Sequence, residues 1–139
     1  NIALNGKVYE LHGSINCNHC IKCNKFFSLD YMLSTKNKII NCDICNSLVK
    51  PDVVLYNEEL DEHIIEQSIN AITEADVMIV AGTSLSVYPA ASFVNFYNKN
   101  CLCIINKSTT PYDSNANYVF YDSCSSVLDR IIEKMETVK

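Results

Sequence analysis

The sequence predicts an α/β chain: a parallel β-sheet with helical crossovers, joined to a small module pinned by cysteines. From residue 51 onward, apolar runs of strand length alternate with segments of helical spacing, the pattern of βαβ units with right-handed crossovers. Ahead of them stand Cys20-x2-Cys23 and Cys42-x2-Cys45, with eighteen residues between the pairs. The 139 residues are 48% hydrophobic and 19% charged, a balance that supports one core and lies outside the disordered class.

The elements follow in chain order. Residues 1–16 are a lead in which Val8, Tyr9 and Leu11 predict a strand that stops at Gly13. The first six residues have neither a basic n-region nor an apolar run, so no signal peptide is expected. A chain opening on Asn1 is expected to be a fragment or a processed product. Residues 17–50 form the cysteine module, in which Ser28 can cap a short helix through Leu33 and Lys36-Asn37-Lys38 reads as a polar turn.

Residues 51–139 carry the sheet. Val53-Val54-Leu55-Tyr56, after Pro51, reads as a strand. Leu60, Ile64, Ile65, Ile69 and Ile72 recur at helical spacing, so an amphipathic helix is expected over about 60–75. The apolar run 77–81 has the character of a strand buried on both faces. Pro89 can open a helix carrying Phe93, Val94, Phe96 and Tyr97. A buried strand at 102–105, a polar loop at 106–117, a last strand at 118–121 and a closing helix marked by Val127, Leu128, Ile131, Ile132 and Met135 complete the chain.

Charge and cysteine usage narrow the function. A net charge of −5 disfavours a nucleic-acid partner, which needs clustered Lys and Arg, and suits a basic peptide. No apolar run reaches the ~18 residues of a membrane helix. Eight cysteines without a secretory signal point to a reducing, cytoplasmic compartment, where metal binding prevails over disulfides.

Two C-x-x-C pairs 15–20 residues apart are what one tetrahedral Zn2+ requires. Four thiolates from Cys20, Cys23, Cys42 and Cys45 leave no position for water, so the site is expected to be structural, its binding energy folding a stretch too short to bury its own core. Cys17-x2-Cys20 is also a C-x-x-C, so Cys17 can displace one of the four; His19 is a further candidate, although a solvated knuckle residue is the more ordinary reading. Cys101 and Cys103 read as small buried hydrophobes in a strand, and Cys124 lies in a late polar turn.

Ligands of an open parallel sheet bind at the carboxyl ends of its strands. Three loops fall there: Gly82-Thr83-Ser84-Leu85, Asn106-Lys107-Ser108 and Asp122-Ser123-Cys124. Gly82 permits close backbone approach, Thr83 and Ser84 offer hydroxyls and N–H groups to a phosphate or ribose, and Asn106 can bond a ribose or base edge. Spacing alone favours ordinary strand–helix turns. His12, beside Gly13, is a candidate for proton transfer because imidazole titrates near neutrality, although a lone histidine is more often structural. His63 falls on the polar side of the helix at 60–75, and Glu58 and Glu59 precede it, where acidic side chains are favourable in themselves.

Together these residues resemble the sirtuin family of NAD-dependent protein deacylases. The matching order is Glu10-Leu11-His12-Gly13-Ser14, the two C-x-x-C pairs, Lys50-Pro51-Asp52-Val53-Val54-Leu55-Tyr56-Asn57-Glu58, Ala75-Asp76, Val80-Ala81-Gly82-Thr83-Ser84-Leu85, Val87-Tyr88-Pro89-Ala90-Ala91 and Ile104-Ile105-Asn106. It covers nearly the whole chain, and its joint order is far more specific than any single motif. The resemblance implies the carboxyl-terminal part of a Rossmann-like domain plus a zinc ribbon. It selects Cys20 over Cys17, since the family's first ligand lies eight residues after the catalytic histidine. It implies His12 as general base, and Gly82, Thr83, Ser84, Asn106, Lys107, Ser108 and Cys124 as NAD contacts. Val54, Leu55, Tyr56, Glu58, Ser86 and Val87 would grip an acyl-lysine protein or peptide as an added strand. The implied reaction is attack of the acyl-lysine carbonyl on the nicotinamide ribose of NAD, with loss of nicotinamide and proton uptake from a ribose hydroxyl by His12.

Two departures from the family stand out. Asn57 occupies the place of a usual glycine, and neither the Gly-Ala-Gly-x-Ser loop nor the Gln-Asn-x-Asp segment is in this sequence. The chain is therefore expected to need the amino-terminal half of the same protein as a partner and to be inactive alone. The competing reading is a non-catalytic zinc-ribbon and nucleotide-binding adaptor.

Overall fold

The computed structural model describes residues 6–35, 39–55 and 57–137; Lys36, Asn37, Lys38 and Tyr56 lie outside them. The chain divides into two compact units, Asn1–Ile65 and Glu66–Lys139.

The first unit contains β1 (Gly13–Cys20), β2 (Phe26–Ser28), α1 (Leu29–Ser34) and β3 (Val49–Val53). The strands form an antiparallel sheet of order β2-β1-β3. Two expectations are corrected here. β1 begins at Gly13 instead of ending there, because the residues that find a partner are those after it: Gly13 faces Val53 and Cys20 faces Val49. Leu11 and His12 sit in a turn closed by the Gly13 N–H, which donates to the Glu10 carbonyl at 2.8 Å. For the same reason the next strand is Val49–Val53: of the run expected as a strand at 53–56, Val53 is in the ladder, Val54 and Leu55 lie beyond it, and Tyr56 falls outside the described residues. β3 tolerates Pro51 because it is an edge strand.

Gly13 is held at φ +75, and a Cβ added there would lie 1.8 Å from the Asp52 carbonyl oxygen. Backbone cannot yield as a flexible side chain would. Gly13→Ala is expected to destabilise this unit by about 2–4 kcal/mol, read as a fall in its unfolding midpoint; an unchanged midpoint would contradict the close approach of β1 to β3.

Strand parity sorts the β1 side chains. Asn18 and Cys20 are buried on one face, whereas Cys17 and His19 belong to the other. The unit's small core comprises Cys20, Phe27, Cys42 and Val49, with Met32, Ile40 and Cys45 packed against it. Ser28 caps α1, its Oγ accepting from the Tyr31 N–H at 3.2 Å.

The division between units falls within α2 (Glu62–Glu74). Asp61 caps this helix through Oδ1, which accepts from the N–H groups of His63 and Ile64 at 2.8 and 3.1 Å. The second unit contains β4 (Met78–Ala81), β5 (Leu102–Ile105), β6 (Tyr118–Phe120) and α3 (Cys124–Thr137). The three strands are parallel, in the order β4-β5-β6. Central β5 is buried along its whole length. β4 is not buried on both faces: Val80 is buried, but Ile79, which alternation puts on the opposite face, is 49% exposed.

The helix expected after Pro89 is a 3-10 helix, Ala90–Phe96, with Pro89 at its N-cap. Side chains at i and i+3 eclipse in this geometry, which puts Ala91 and Val94 together in the core of Val80, Leu85, Leu102 and Ile104. Cys103 is buried within β5, whereas Cys101 lies just outside the strand and is half-buried. Phe120, Val127, Ile131 and Met135 line an open apolar groove of about 690 Å³. No helix among the described residues is long and apolar enough to cross a membrane.

Candidate functional site

Two nearly equivalent knuckles build the candidate metal centre. In the first, the Asn24 N–H donates to the Cys20 carbonyl at 3.0 Å and the Cys20 N–H to the Lys25 carbonyl at 2.9 Å; in the second, the Asn46 N–H donates to the Cys42 carbonyl at 2.9 Å and the Cys42 N–H to the Ser47 carbonyl at 2.7 Å. Asn24 and Asn46 both adopt left-handed backbone, at φ 58 and 56. Asparagine is the side-chain-bearing residue that tolerates this region best. Motif reading overlooked these two turn residues, and the available signal was an Asn directly after the second cysteine of each pair.

The knuckles bring the sulfurs of Cys20, Cys23, Cys42 and Cys45 within 4.8 Å of one another. Cys20 and Cys45 approach to 3.3 Å, and Cys23 and Cys42 to 3.5 Å. Four Zn–S bonds of about 2.3 Å in a tetrahedron put sulfurs about 3.8 Å apart, so the donor set fits one zinc ion. The Lys22 and Ile44 N–H groups point at the Cys20 and Cys42 sulfurs, at 3.5 and 3.4 Å. The Cys23 backbone N–H is the main cause that pulls the Cys20 thiol down to about 6. The Lys25 N–H favours a thiolate at Cys23, but desolvation and the side chains of Cys20, Cys42 and Cys45 outweigh it and push that thiol up to about 12. One thiolate thus forms at its neighbour's expense; four together call for a dication. Lys25 Nζ, 2.6 and 2.7 Å from the Asp43 carboxylate oxygens, ties one knuckle to the other.

Cys17 and His19 stand outside this group. Cys17 is exposed on the opposite face of β1. His19, far from being a free knuckle residue, places Nδ1 2.8 Å from Asp52 Oδ2 across the sheet and packs against Phe26.

His12 lies on the turn leading into β1, exposed, with its carbonyl accepting from the Val54 N–H at 3.1 Å. The first residue of the expected peptide-gripping segment is therefore anchored to the candidate base. Leu55 is 56% exposed. Asn57 has φ 69, so the residue replacing the usual glycine keeps the backbone conformation glycine would allow. Glu58 does not serve the α2 N-terminus: its carboxylate binds Lys50 Nζ and the Leu55 N–H.

In the second unit the strand ends converge. The Gly82 N–H donates to the Ile105 carbonyl at 2.9 Å and the Asn106 N–H to the Phe120 carbonyl at 3.0 Å. Cys124 is corrected from a polar turn to the first residue of α3, because Ser123 Oγ accepts from the Ser126 N–H and caps a helix that starts three residues before Val127, where the apolar periodicity begins. Its sulfur approaches the Ile105 carbonyl at 3.7 Å, and a Cβ on Gly82, at φ +67, would meet that sulfur at 3.4 Å. Gly82, Asn106 and Cys124 thus share one end of the sheet. Thr83 Oγ1 accepts from the Leu85 N–H, Ser84 and Ser86 share a hydroxyl hydrogen bond, and Asn106 Nδ2 donates to Ser108. Lys107 and Val87 are exposed.

A Rossmann-like parallel sheet with loops gathered at its carboxyl ends, together with a four-thiol ribbon, defines the class of protein. A profile of the Sir2 family matches residues 2–89, and the chain belongs to that family. An NAD-dependent protein deacetylase of Clostridium acetobutylicum is 52% identical over 125 residues, covering 90% of this chain and 51% of that protein. One from Clostridium tetani is 48% identical over 128 residues, covering 92% and 52%. Among solved structures, Sir2Tm bound to a propionylated peptide superposes with a TM-score of 0.86 at 30% identity, over 94% of this chain and 57% of that one. A Sir2 bound to an acetylated peptide gives 0.84 at 30% identity, over 94% and 57%. The chain spans about half the length of the curated relatives it matches.

Proposed function

We propose that this chain is the zinc-bearing, base-bearing part of an NAD-dependent protein-lysine deacylase. The observation that carries the reading is the 3.1 Å hydrogen bond from the Val54 N–H to the His12 carbonyl, which joins the candidate base to the candidate peptide-binding segment within one unit. The names of the relatives and the acyl-peptides in the similar structures support it.

Cys20, Cys23, Cys42 and Cys45 would hold Zn2+ as a structural clamp on the small module, with no open ligand position for chemistry. NAD, as cosubstrate, would supply the ribose carbon at which nicotinamide is exchanged. Gly82, Thr83, Ser84, Asn106, Lys107, Ser108 and Cys124 would receive its adenosine end, Gly82 by the close approach its bare backbone allows. Val54, Leu55, Tyr56, Glu58, Ser86 and Val87 would orient the acyl-lysine peptide by main-chain pairing. His12 would take a proton from a ribose hydroxyl. The compartment proposed is the cytoplasm, and the partners proposed are an acyl-lysine protein and the polypeptide corresponding to the relatives' amino-terminal half. The exposed Ile79 on β4 and the apolar groove beside α3 support a further covering polypeptide.

The test is to incubate residues 1–139, alone and joined to that amino-terminal half, with an acetyl-lysine peptide, with and without NAD, and to measure nicotinamide. The chain alone is expected to bind NAD weakly, to release none and to self-associate on size-exclusion chromatography. The joined protein is expected to release nicotinamide only when both substrates are present. Robust turnover by residues 1–139 alone would remove the need for the second half. Silence from the joined, folded protein would favour the adaptor reading.

A further inference from the structure

Glu58 belongs to the segment assigned to the peptide, but its side chain is already engaged within the chain. Lys50 Nζ lies 2.5 Å from each carboxylate oxygen, and the Leu55 N–H donates to Oε2 at 2.9 Å. The Glu58 N–H in turn donates to the Leu55 carbonyl at 3.0 Å. The pair of bonds holds Leu55 and Glu58 together, and Asn57 next to Glu58 has φ 69, a positive φ that Gly or Asn adopts most readily. Lys50 comes from β3, where it faces His19 of β1, so Leu55 and Glu58 are tied back to the sheet that carries the zinc module. Lys50, first, and then the Leu55 N–H hold the Glu58 carboxyl below the usual carboxylate range. Along this brace runs a polar groove of about 330 Å³ whose lining includes His19, Lys50, Asp52, Val54 and Glu58.

A peptide that adds as a strand binds better to a backbone already ordered, because ordering it on arrival costs conformational entropy. Resting on the function proposed above, we infer that Glu58 is a positioning residue for the acyl-peptide: through Lys50 and the Leu55 N–H it sets the backbone at Leu55 before the peptide arrives. The carboxylate does not itself touch the peptide. The peptide's main chain pairs with groups other than the Leu55 N–H, which is occupied.

The experiment compares Glu58→Ala, Glu58→Gln, Lys50→Met and Lys50→Arg in the intact, zinc-loaded protein. It reads peptide KM, NAD KM and kcat together with amide hydrogen exchange at Leu55. Glu58→Ala removes both bonds and is expected to raise peptide KM about tenfold and to speed Leu55 exchange about tenfold, with far smaller changes in kcat and NAD KM. Glu58→Gln keeps an acceptor for Leu55 and is expected to be milder. Lys50→Met is expected to fall between them, and Lys50→Arg to restore both readouts. Unchanged Leu55 exchange in Glu58→Ala overturns the brace. An unchanged peptide KM in a folded variant, a loss confined to kcat, or failure of Lys50→Arg to rescue overturns the positioning role. An intact protein with no deacylase activity, while Leu55 exchange still responds, overturns the functional reading and leaves the brace standing.

Discussion

Replacing His12 by alanine is expected to stop deacylation by the intact protein while leaving its fold and metal in place. The two halves of that expectation have separate causes. The imidazole is asked for proton transfer, which in general contributes roughly 10²–10⁴-fold. The residue's structural service is rendered by its main chain, whose carbonyl accepts from the Val54 N–H at 3.1 Å, and alanine keeps that bond. The side chain is exposed, so its removal leaves no cavity. Nicotinamide release measures the first half, and thermal unfolding with zinc stoichiometry the second. Near-normal turnover by a folded His12→Ala protein would remove His12 from the mechanism. Collapse of the fold would show that the imidazole supports the turn into β1.

Cys42→Ser is expected to unfold the zinc module. Two of the four residues in that unit's buried cluster are themselves candidate ligands, Cys20 and Cys42, leaving Phe27 and Val49 as its other buried members. A core this small cannot carry the module by hydrophobic burial, whereas a structural zinc site contributes on the order of 10–16 kcal/mol at neutral pH. Zinc content is expected to fall from one ion per chain to well below one. Amide protection at Cys20, Cys42 and Asn46, whose N–H groups close the knuckles, should disappear with it. A Cys42→Ser protein that retains one zinc and native protection would show that the ribbon holds itself together by other means. Because the ligands bind as thiolates, zinc is also lost more readily as pH falls.

Legibility in the sequence followed how local the physics is. The paired cysteine pattern could be read from spacing because each C-x-x-C brings its own tight turn and the two turns close by local hydrogen bonds, while spacing left Cys17 open beside Cys20. The helix at 60–75 was legible from the helical spacing of its apolar residues, and the buried strand at 102–105 from a continuous apolar run. Ser28 as a cap was legible because it acts three residues away. The strand boundaries around Gly13 and Val53 were not. Val8 and Leu11 carry strand propensity, but pairing with β3 begins only at Gly13, and a strand exists where a partner exists. The 3-10 character of Ala90–Phe96 was hidden for a related reason, since the spacing of its buried residues fits either helix type and packing decides between them.

The sequence by itself determined the family, the α/β class, the paired C-x-x-C pattern of a metal ribbon and the residues nominated for the base and the nucleotide loops, because these depend on residue type and order along the chain. Only the tertiary structure decided which face of β1 a side chain occupies. That parity puts Cys20 in the metal group and leaves Cys17 outside it, and gives His19 to Asp52. It also decided that Glu58 bonds Lys50 and the Leu55 N–H instead of the start of α2, and that Gly82 and Cys124, forty-two positions apart, meet at one end of the sheet. Such pairings depend on strand register and on distances through space, and neither is written in the spacing of residues along a chain.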